Sequence, residues 1–315
     1  MKTEERGVDI TVSEVGPRDG LQSIRQVMPT EMKIRWVEAL ADAGLREIEV
    51  GSFVSPKLFP QLTDAAEVVA AALRIPGLTV LALAPNLKGA ERALAAGVRG
   101  VTMPVSASRA HSVANVGMTP EEAVGQVRQV RALIDAQGKG VGLEVGISTA
   151  FGCSIQGEVP EDFVMRIAAE LAAAGVDSIG LSDSVGYANP RQVRHMFRRL
   201  RAEVGSKAGA AHFHNTRGQG LANVVAALEE GVTTFDASQG GIGGCPAAPG
   251  ATGNIVTEDL VFLLESMGLR TGIDIEKLIA ARAIIREGLP GQQIYGHTPD
   301  AGLPKNFSYA ADQGD

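Results

Sequence analysis

The sequence predicts a TIM-type (β/α)8 barrel, and three observations predict it. Eight short β-type runs alternate with stretches of helical apolar spacing. A helix–Gly–strand joint recurs in "ADAGLREIEV", "LAAGVRGVTM", "LAAAGVDSIG" and "LEEGVTTFDA", which marks a repeated β/α unit. Polar residues collect at the C-terminal ends of at least five of the strands, where barrels of this kind place their chemistry.

The strands are read at 9–17 ("DITVSEVGP"), 46–53 ("REIEVGSF"), 78–85 ("LTVLALAP") and 98–106 ("VRGVTMPVS"). Four more follow at 142–149 ("GLEVGIST"), 176–183 ("VDSIGLSD"), 209–215 ("GAAHFHN") and 232–238 ("VTTFDAS"). Between them, segments such as "EMKIRWVEALADAG" and "PEDFVMRIAAELAAAG" carry apolar residues at helical spacing. Gly44, Gly97, Gly175 and Gly231 stand where helices end, a position that favours glycine. A doubly wound open sheet is the competing architecture, because alternation alone does not prove closure. The first strand lacks its G-x-G-x-x-G fingerprint, reading "GPRDGLQ" instead. No Ser/Pro-rich linker divides the 315 residues. The expectation is one domain over 1–315, with a barrel at about 8–270 and a C-terminal extension at about 271–315.

Composition excludes several classes. The chain is 45% hydrophobic and 21% charged, with a net charge of −7, which opposes disorder and nucleic-acid binding alike. Two cysteines, Cys153 and Cys245, are too few for a disulfide framework. The charged start "MKTEERGVDI" lacks the apolar core of a signal peptide, and no apolar run reaches membrane-spanning length. The expected setting is cytoplasmic and reducing, away from membranes.

"GAAHFHNTRG" places His212 and His214 two residues apart on a strand, so both imidazoles project from one face while Phe213 takes the other. At a barrel mouth such a pair suits a metal. Asp19, beside Arg18 in "GPRDG", either caps the following turn or supplies an anionic ligand. Glu49 and Asp183 are either paired structural carboxylates or catalytic ones, since carboxylates buried in a barrel mouth are costly without a cation or donors. Asn254 and Cys245 fall in the glycine-rich loop after strand eight. Cys245 reads as a used thiol and Cys153 as a structural one, while His111 and His195 are read as surface or helix residues without a role. Two imidazoles with Asp and Asn oxygens favour Mg2+ or Mn2+, with zinc or cobalt as alternatives. Such a cation polarises a carbonyl and lowers the pKa of a bound hydroxyl. With Arg18 steadying an enolate, a carboxylate as base and a thiol to shuttle a proton, these parts serve carbon–carbon bond chemistry next to a carbonyl.

Several long stretches carry a family resemblance over about 10–272: "EVGPRDGLQ", "IEVGSFVSPK", "PNLKGAERALAAGV", "FGCSIQGEV", "SDSVGYANP" and "GGIGGCPAAPGATGNIVTEDLVFLLESMGL". They resemble the 3-hydroxy-3-methylglutaryl-CoA lyase family of the DRE-TIM metallolyases. The resemblance implies that Asp19, His212, His214 and Asn254 bind a divalent cation, and that Arg18, Cys245, Asp183 and Glu49 serve catalysis. Gln22 and Ser52 match other active-site positions, and Arg217 adds a positive charge near the substrate. The implied reaction is a retro-Claisen cleavage of a 3-hydroxyacyl-CoA thioester to acetyl-CoA and a keto acid. The implied assembly is a dimer or larger. The chain departs from the family pattern at Asn215, Thr216 and Arg217, at Gly146 where a tyrosine is usual, and in "MPVSASRAHSVANVG". These departures leave other thioesters open, such as citramalyl-CoA or longer 3-alkyl homologues. A condensing synthase that uses acetyl-CoA and a 2-keto acid is disfavoured by the loop thiol. A non-enzymatic binding barrel is disfavoured by the complete ligand set.

Overall fold

The computed structural model describes residues 7–138, 140–243 and 253–313. Its strands are β1 (Thr11–Glu14), β2 (Glu47–Ser52), β3 (Thr79–Leu83), β4 (Gly100–Ser106), β5 (Gly142–Ser148), β6 (Ser178–Asp183), β7 (Ala208–Phe213) and β8 (Thr234–Ala237). All eight pair in parallel, in sequence order, and β8 returns to β1, so the sheet closes into a barrel. Each strand lies inside the run predicted for it, except that β7 begins one residue earlier. The open-sheet alternative is removed by the β1–β8 ladder, which runs from Thr11 opposite Thr234 to Glu14 opposite Ala237.

The helices sit outside the barrel because each carries one apolar stripe. In Thr30–Asp42, Met32, Trp36, Val37, Leu40 and Ala41 are buried at i, i+4, i+5, i+8 and i+9, one face of a 3.6-residue period. Polar caps set the helix starts: Asn86 accepts from Gly89 N–H, and Thr119 forms a reciprocal capping box with Glu122. The four predicted helix-ending glycines all take positive φ. At Gly44, with φ of 110°, a Cβ would also stand 2.3 Å from the Gly272 carbonyl oxygen, so both backbone angle and space require glycine.

Strand parity decides what faces the cavity. His212 is level with Ser182 on one side and Asp236 on the other, and Asp236 is level with Ser13. All four line the interior. Phe213, one residue along, packs instead against Phe151 and Phe197 in the helical layer, with ring centroids 6.2 and 6.3 Å away. In β2 the register shifts between Glu49 and Ser52. That irregularity lets residues three apart share the inner face, where strict alternation would oppose them.

The C-terminal extension is pinned to the barrel. Helix Ile275–Gly288 packs beside Thr30–Asp42, and Asp274 N–H donates to the Ala43 carbonyl at 2.7 Å. The fully buried Trp36 donates its indole N–H to Gln239 Oε1 at 2.6 Å, and Gln239 in turn donates to the Leu278 carbonyl at 2.5 Å. No helix among the described residues is long and apolar enough to cross a membrane.

Candidate metal centre and active site

After β1 the chain makes one tight turn, Gly16–Gly20, in which the Val15 carbonyl accepts from the N–H groups of Arg18, Asp19 and Gly20. A Cβ on Gly16 would stand 2.6 Å from Glu14 Oε1, so a larger residue there would displace the carboxylate that Gly16 and Gln239 N–H groups hold. The turn raises Arg18 and Asp19 onto the cavity wall, across from His212 and His214.

Asp19, His212 and His214 offer ligand atoms that all lie within 4.8 Å of one another. The two imidazole Nε2 atoms are 3.2 Å apart. Beyond the end of β7, His214 bridges Asn254, whose amide donates to Asp19 Oδ2 at 2.8 Å. Asn254 Oδ1 and His214 Nδ1 are buried without hydrogen-bond partners among the described residues. A buried orphan acceptor beside two imidazoles and a carboxylate is costly as it stands. A small divalent cation would satisfy it, and the donor set fits one.

The surroundings keep Asp19 and His214 in ligating form. Burial works against an ionised Asp19, but Arg18, His212 and His214 outweigh it and hold the carboxyl at about 2. His214 falls to about 4, first from burial and then from the neighbouring His212, so its ring is neutral at pH 7. His212 Nδ1 lies 3.0 Å from Asp236 Oδ2. Burial pulls His212 down, and this carboxylate more than restores it, leaving its pKa above the usual value.

Arg18 bridges two carboxylates, donating from Nε to Glu49 Oε2 and from Nη1 to Asp19 Oδ1, the latter at 2.7 Å. Glu49 also accepts from Thr102 Oγ1. Its pKa rises because burial outweighs the attraction of Arg18. Gln22 and Ser52 line the same cavity, as does Gly146, where a Cβ would come 3.3 Å from Ser182 Oγ.

Two expected residues stand off the cavity wall. Asp183 is level with Phe213, on the outer parity of its strand. Its oxygens accept from Tyr187 and Ala188 N–H at 2.8 and 3.1 Å, closing the turn after β6, and burial lifts its pKa to about 6. Arg217 donates to the Val185 and Gly186 carbonyls and stacks over the Tyr187 ring at 4.7 Å, beside a separate surface groove. Cys245 lies outside the described residues. Cys153 is buried, and His195 is an exposed partner of Glu161, both as expected. His111 differs from its reading as a residue without a role: it is buried and lines the cavity. The sequence reasoning also passed over Asp236. Its signal was available, because period-two alternation in "TFDA" opposes Asp236 to buried Phe235 and Ala237.

Fold and site together define a TIM barrel with a candidate cation centre at the C-terminal mouth. Residues 9–285 match the HMGL-like family. The chain is 42% identical over 278 residues to hydroxymethylglutaryl-CoA lyase YngG of Bacillus subtilis, covering 88% of this chain and 92% of that one. It is 42% identical over 272 residues to the 3-hydroxy-3-isohexenylglutaryl-CoA/hydroxymethylglutaryl-CoA lyase of Pseudomonas aeruginosa, covering 86% and 90%. A solved HMG-CoA lyase from Acinetobacter baumannii, in complex with coenzyme A and 3-methylmalate, superposes with a TM-score of 0.89 at 38% identity, covering 95% and 97%. The chain belongs to the HMGL-like family, and it is a carbon–carbon lyase.

Proposed function

We propose that the protein cleaves the C2–C3 bond of 3-hydroxy-3-methylglutaryl-CoA, or of a close 3-hydroxy-3-substituted acyl-CoA, to acetyl-CoA and a keto acid, with Mg2+ or Mn2+ as cofactor. The observation that carries this reading is the convergence of the Asp19, His212 and His214 ligand atoms beside Asn254, whose Oδ1 is without a partner among the described residues. When bound, a divalent cation supplies Lewis acidity at the substrate oxygens.

The chain's own residues supply the rest. Glu49, the cavity-wall carboxylate whose proton affinity burial has raised, takes the C3 hydroxyl proton. As the C3–O bond becomes a carbonyl, the C2–C3 electron pair passes into the thioester as an enolate. The Arg18 guanidinium steadies the enolate oxygen, an electrostatic role that grows as charge develops. Protonation at C2 then gives acetyl-CoA, and Cys245 is the proposed proton carrier. Asp183 holds the turn after β6, and Arg217 acts at the rim through charge. The 1–315 chain is proposed as one domain, because the extension is hydrogen-bonded to the barrel at Ala43 and Gln239. A cytoplasmic dimer or larger assembly completes the proposal, with sedimentation of the purified chain as its check.

A longer 3-alkyl substituent is a second reading. It is favoured by Gly146 on the cavity wall, whose side chain is a single hydrogen. One experiment tests both readings. The purified protein with Mg2+ or Mn2+ is offered a panel of 3-hydroxy-3-substituted acyl-CoA thioesters, with acetyl-CoA release measured before and after EDTA. Metal-dependent release from the methyl or a longer homologue ranks the two, and no release from any member ends both.

A further inference from the structure

His111 occupies the short helix Arg109–Val116, which Ser108 caps immediately after β4. The residue is 4% exposed, lines the cavity, and has Nδ1 3.0 Å from Ser106 Oγ. The hydroxyl chain behind it fixes which nitrogen carries the proton. Thr149 Oγ1 donates its single proton to the Ser148 carbonyl at 2.6 Å and accepts from Ser108 N–H at 3.0 Å. Ser106 Oγ lies 3.0 Å from Thr149 Oγ1 and 3.3 Å from the Ser108 carbonyl. A proton turned to His111 would leave both oxygen pairs without a hydrogen between them, so it goes to one of these two acceptors. It is therefore an acceptor toward His111, and Nδ1 bears the ring hydrogen. Thr149 holds this chain at a φ of 57°, rare for a residue other than glycine and a mark of a fixed position. Burial pulls the His111 pKa down, which keeps the ring neutral.

Nε2 is left as a bare acceptor, without a protein partner among the described residues. A neutral acceptor repels a substrate carboxylate or thioester carbonyl and pairs only with an O–H or N–H. If the proposed lyase reading holds, the C3 hydroxyl belongs with the cation ligands on the β1, β7 and β8 side. The donors of an acyl-CoA closest to the sulfur are then the secondary amides of the arm, its pantoyl hydroxyl, ribose hydroxyl and adenine amine lying farther out. The methylene spacers of these amides suit the apolar side that His111 shares with Val54, Leu58 and Phe59. We propose that His111 is a binding residue that recognises the thioester arm, its Nε2 accepting from the amide N–H nearest the sulfur.

The test compares one 3-hydroxy acid as its CoA, N-acetylcysteamine and S-ethyl thioesters, the last without an amide. With the first two, His111→Leu is expected to lose roughly 3- to 10-fold in kcat/KM, the scale of one hydrogen bond, and mostly through KM. His111→Gln, which keeps an acceptor, recovers part of the loss, and the S-ethyl thioester is turned over equally by variant and parent. A loss of the same size with the S-ethyl thioester would place His111 against the acyl group and overturn the proposal. Calorimetry with CoA alone separates the two readings if the parent protein is inert. Weaker CoA binding by His111→Leu would support the inference without turnover, and equal binding would overturn it.

Discussion

Asp236 governs what His212 can offer a cation. Their 3.0 Å contact puts the ring hydrogen on Nδ1 and turns the Nε2 lone pair toward His214 and Asp19, the carboxylate–histidine arrangement that orients metal-bound imidazoles. Asp236→Ala is expected to weaken Mn2+ affinity by roughly 10- to 100-fold. His212→Ala, which removes the ligand itself, should weaken it further. Calorimetric titration of each variant measures this, and undiminished affinity in His212→Ala would place the cation elsewhere. The histidine pair was legible because i and i+2 share a strand face whatever the surroundings. Asp236 was not singled out because one aspartate in a strand carries no motif. Only the pairing of β7 with β8 sets it level with His212. Asn254 was reached by its place in the loop after strand eight and by family resemblance, but nothing in its own neighbourhood predicts a bridge to His214.

At the scale of elements, parity explains both the successes and the displaced residues. The run 46–53 pointed to Glu49 and Ser52 together, and the register shift in β2 is what lets both reach the cavity. Asp183 ends β6 as expected, yet its outer parity turns it to the helix side, a distinction of one residue that strand prediction does not resolve. A long-range contact, invisible to local pattern, positions the segment leading into the glycine-rich loop. Arg282 and Glu258, 2% and 0% exposed in their side chains, pair at 2.6 Å. Arg282 also donates to the Tyr295 carbonyl, and Glu258 accepts from Gly240 N–H. Arg282→Met would leave Glu258 buried without its cation, which should cost about 3–5 kcal/mol. Adding Glu258→Gln removes the stranded charge and should recover much of that loss. Urea unfolding of the single and double variants decides it. Equal destabilisation in both would show that the carboxylate is not held charged by Arg282.

For the whole molecule, buried carboxylates set the pH dependence of stability. Burial lifts Glu14 to about 8, against hydrogen bonds from Thr257, Gln239 and Gly16 that pull it down. Burial lifts Glu144 to about 8 as well, reinforced by Glu47, Asp236 and Glu49. An acid whose pKa is raised on folding binds its proton more tightly in the native state. Its contribution is complete below the unfolded value of 4.5 and disappears as pH rises through about 8. Asp9, held at about 2 chiefly by its hydrogen bond with Arg270, has the opposite sign, and its contribution is lost only below the unfolded value of 3.8. His214, lowered from 6.5 to about 4, opposes the raised carboxylates only up to its unfolded value. Glu14, Glu144 and Asp183 therefore dominate between pH 5 and 8, and the melting temperature of the metal-free protein in EDTA is expected to fall across that window. Glu14→Gln retains an acceptor for Gly16 and Gln239 and gives Thr257 a donor, while removing the proton that titrates. Its melting temperature should vary less over the same range, and it should exceed the parent by more at pH 8 than at pH 5. A parent curve that rises with pH, or a variant that follows the parent throughout, would show that Glu14 is ionised in the native fold, its charge carried by the backbone amides around it.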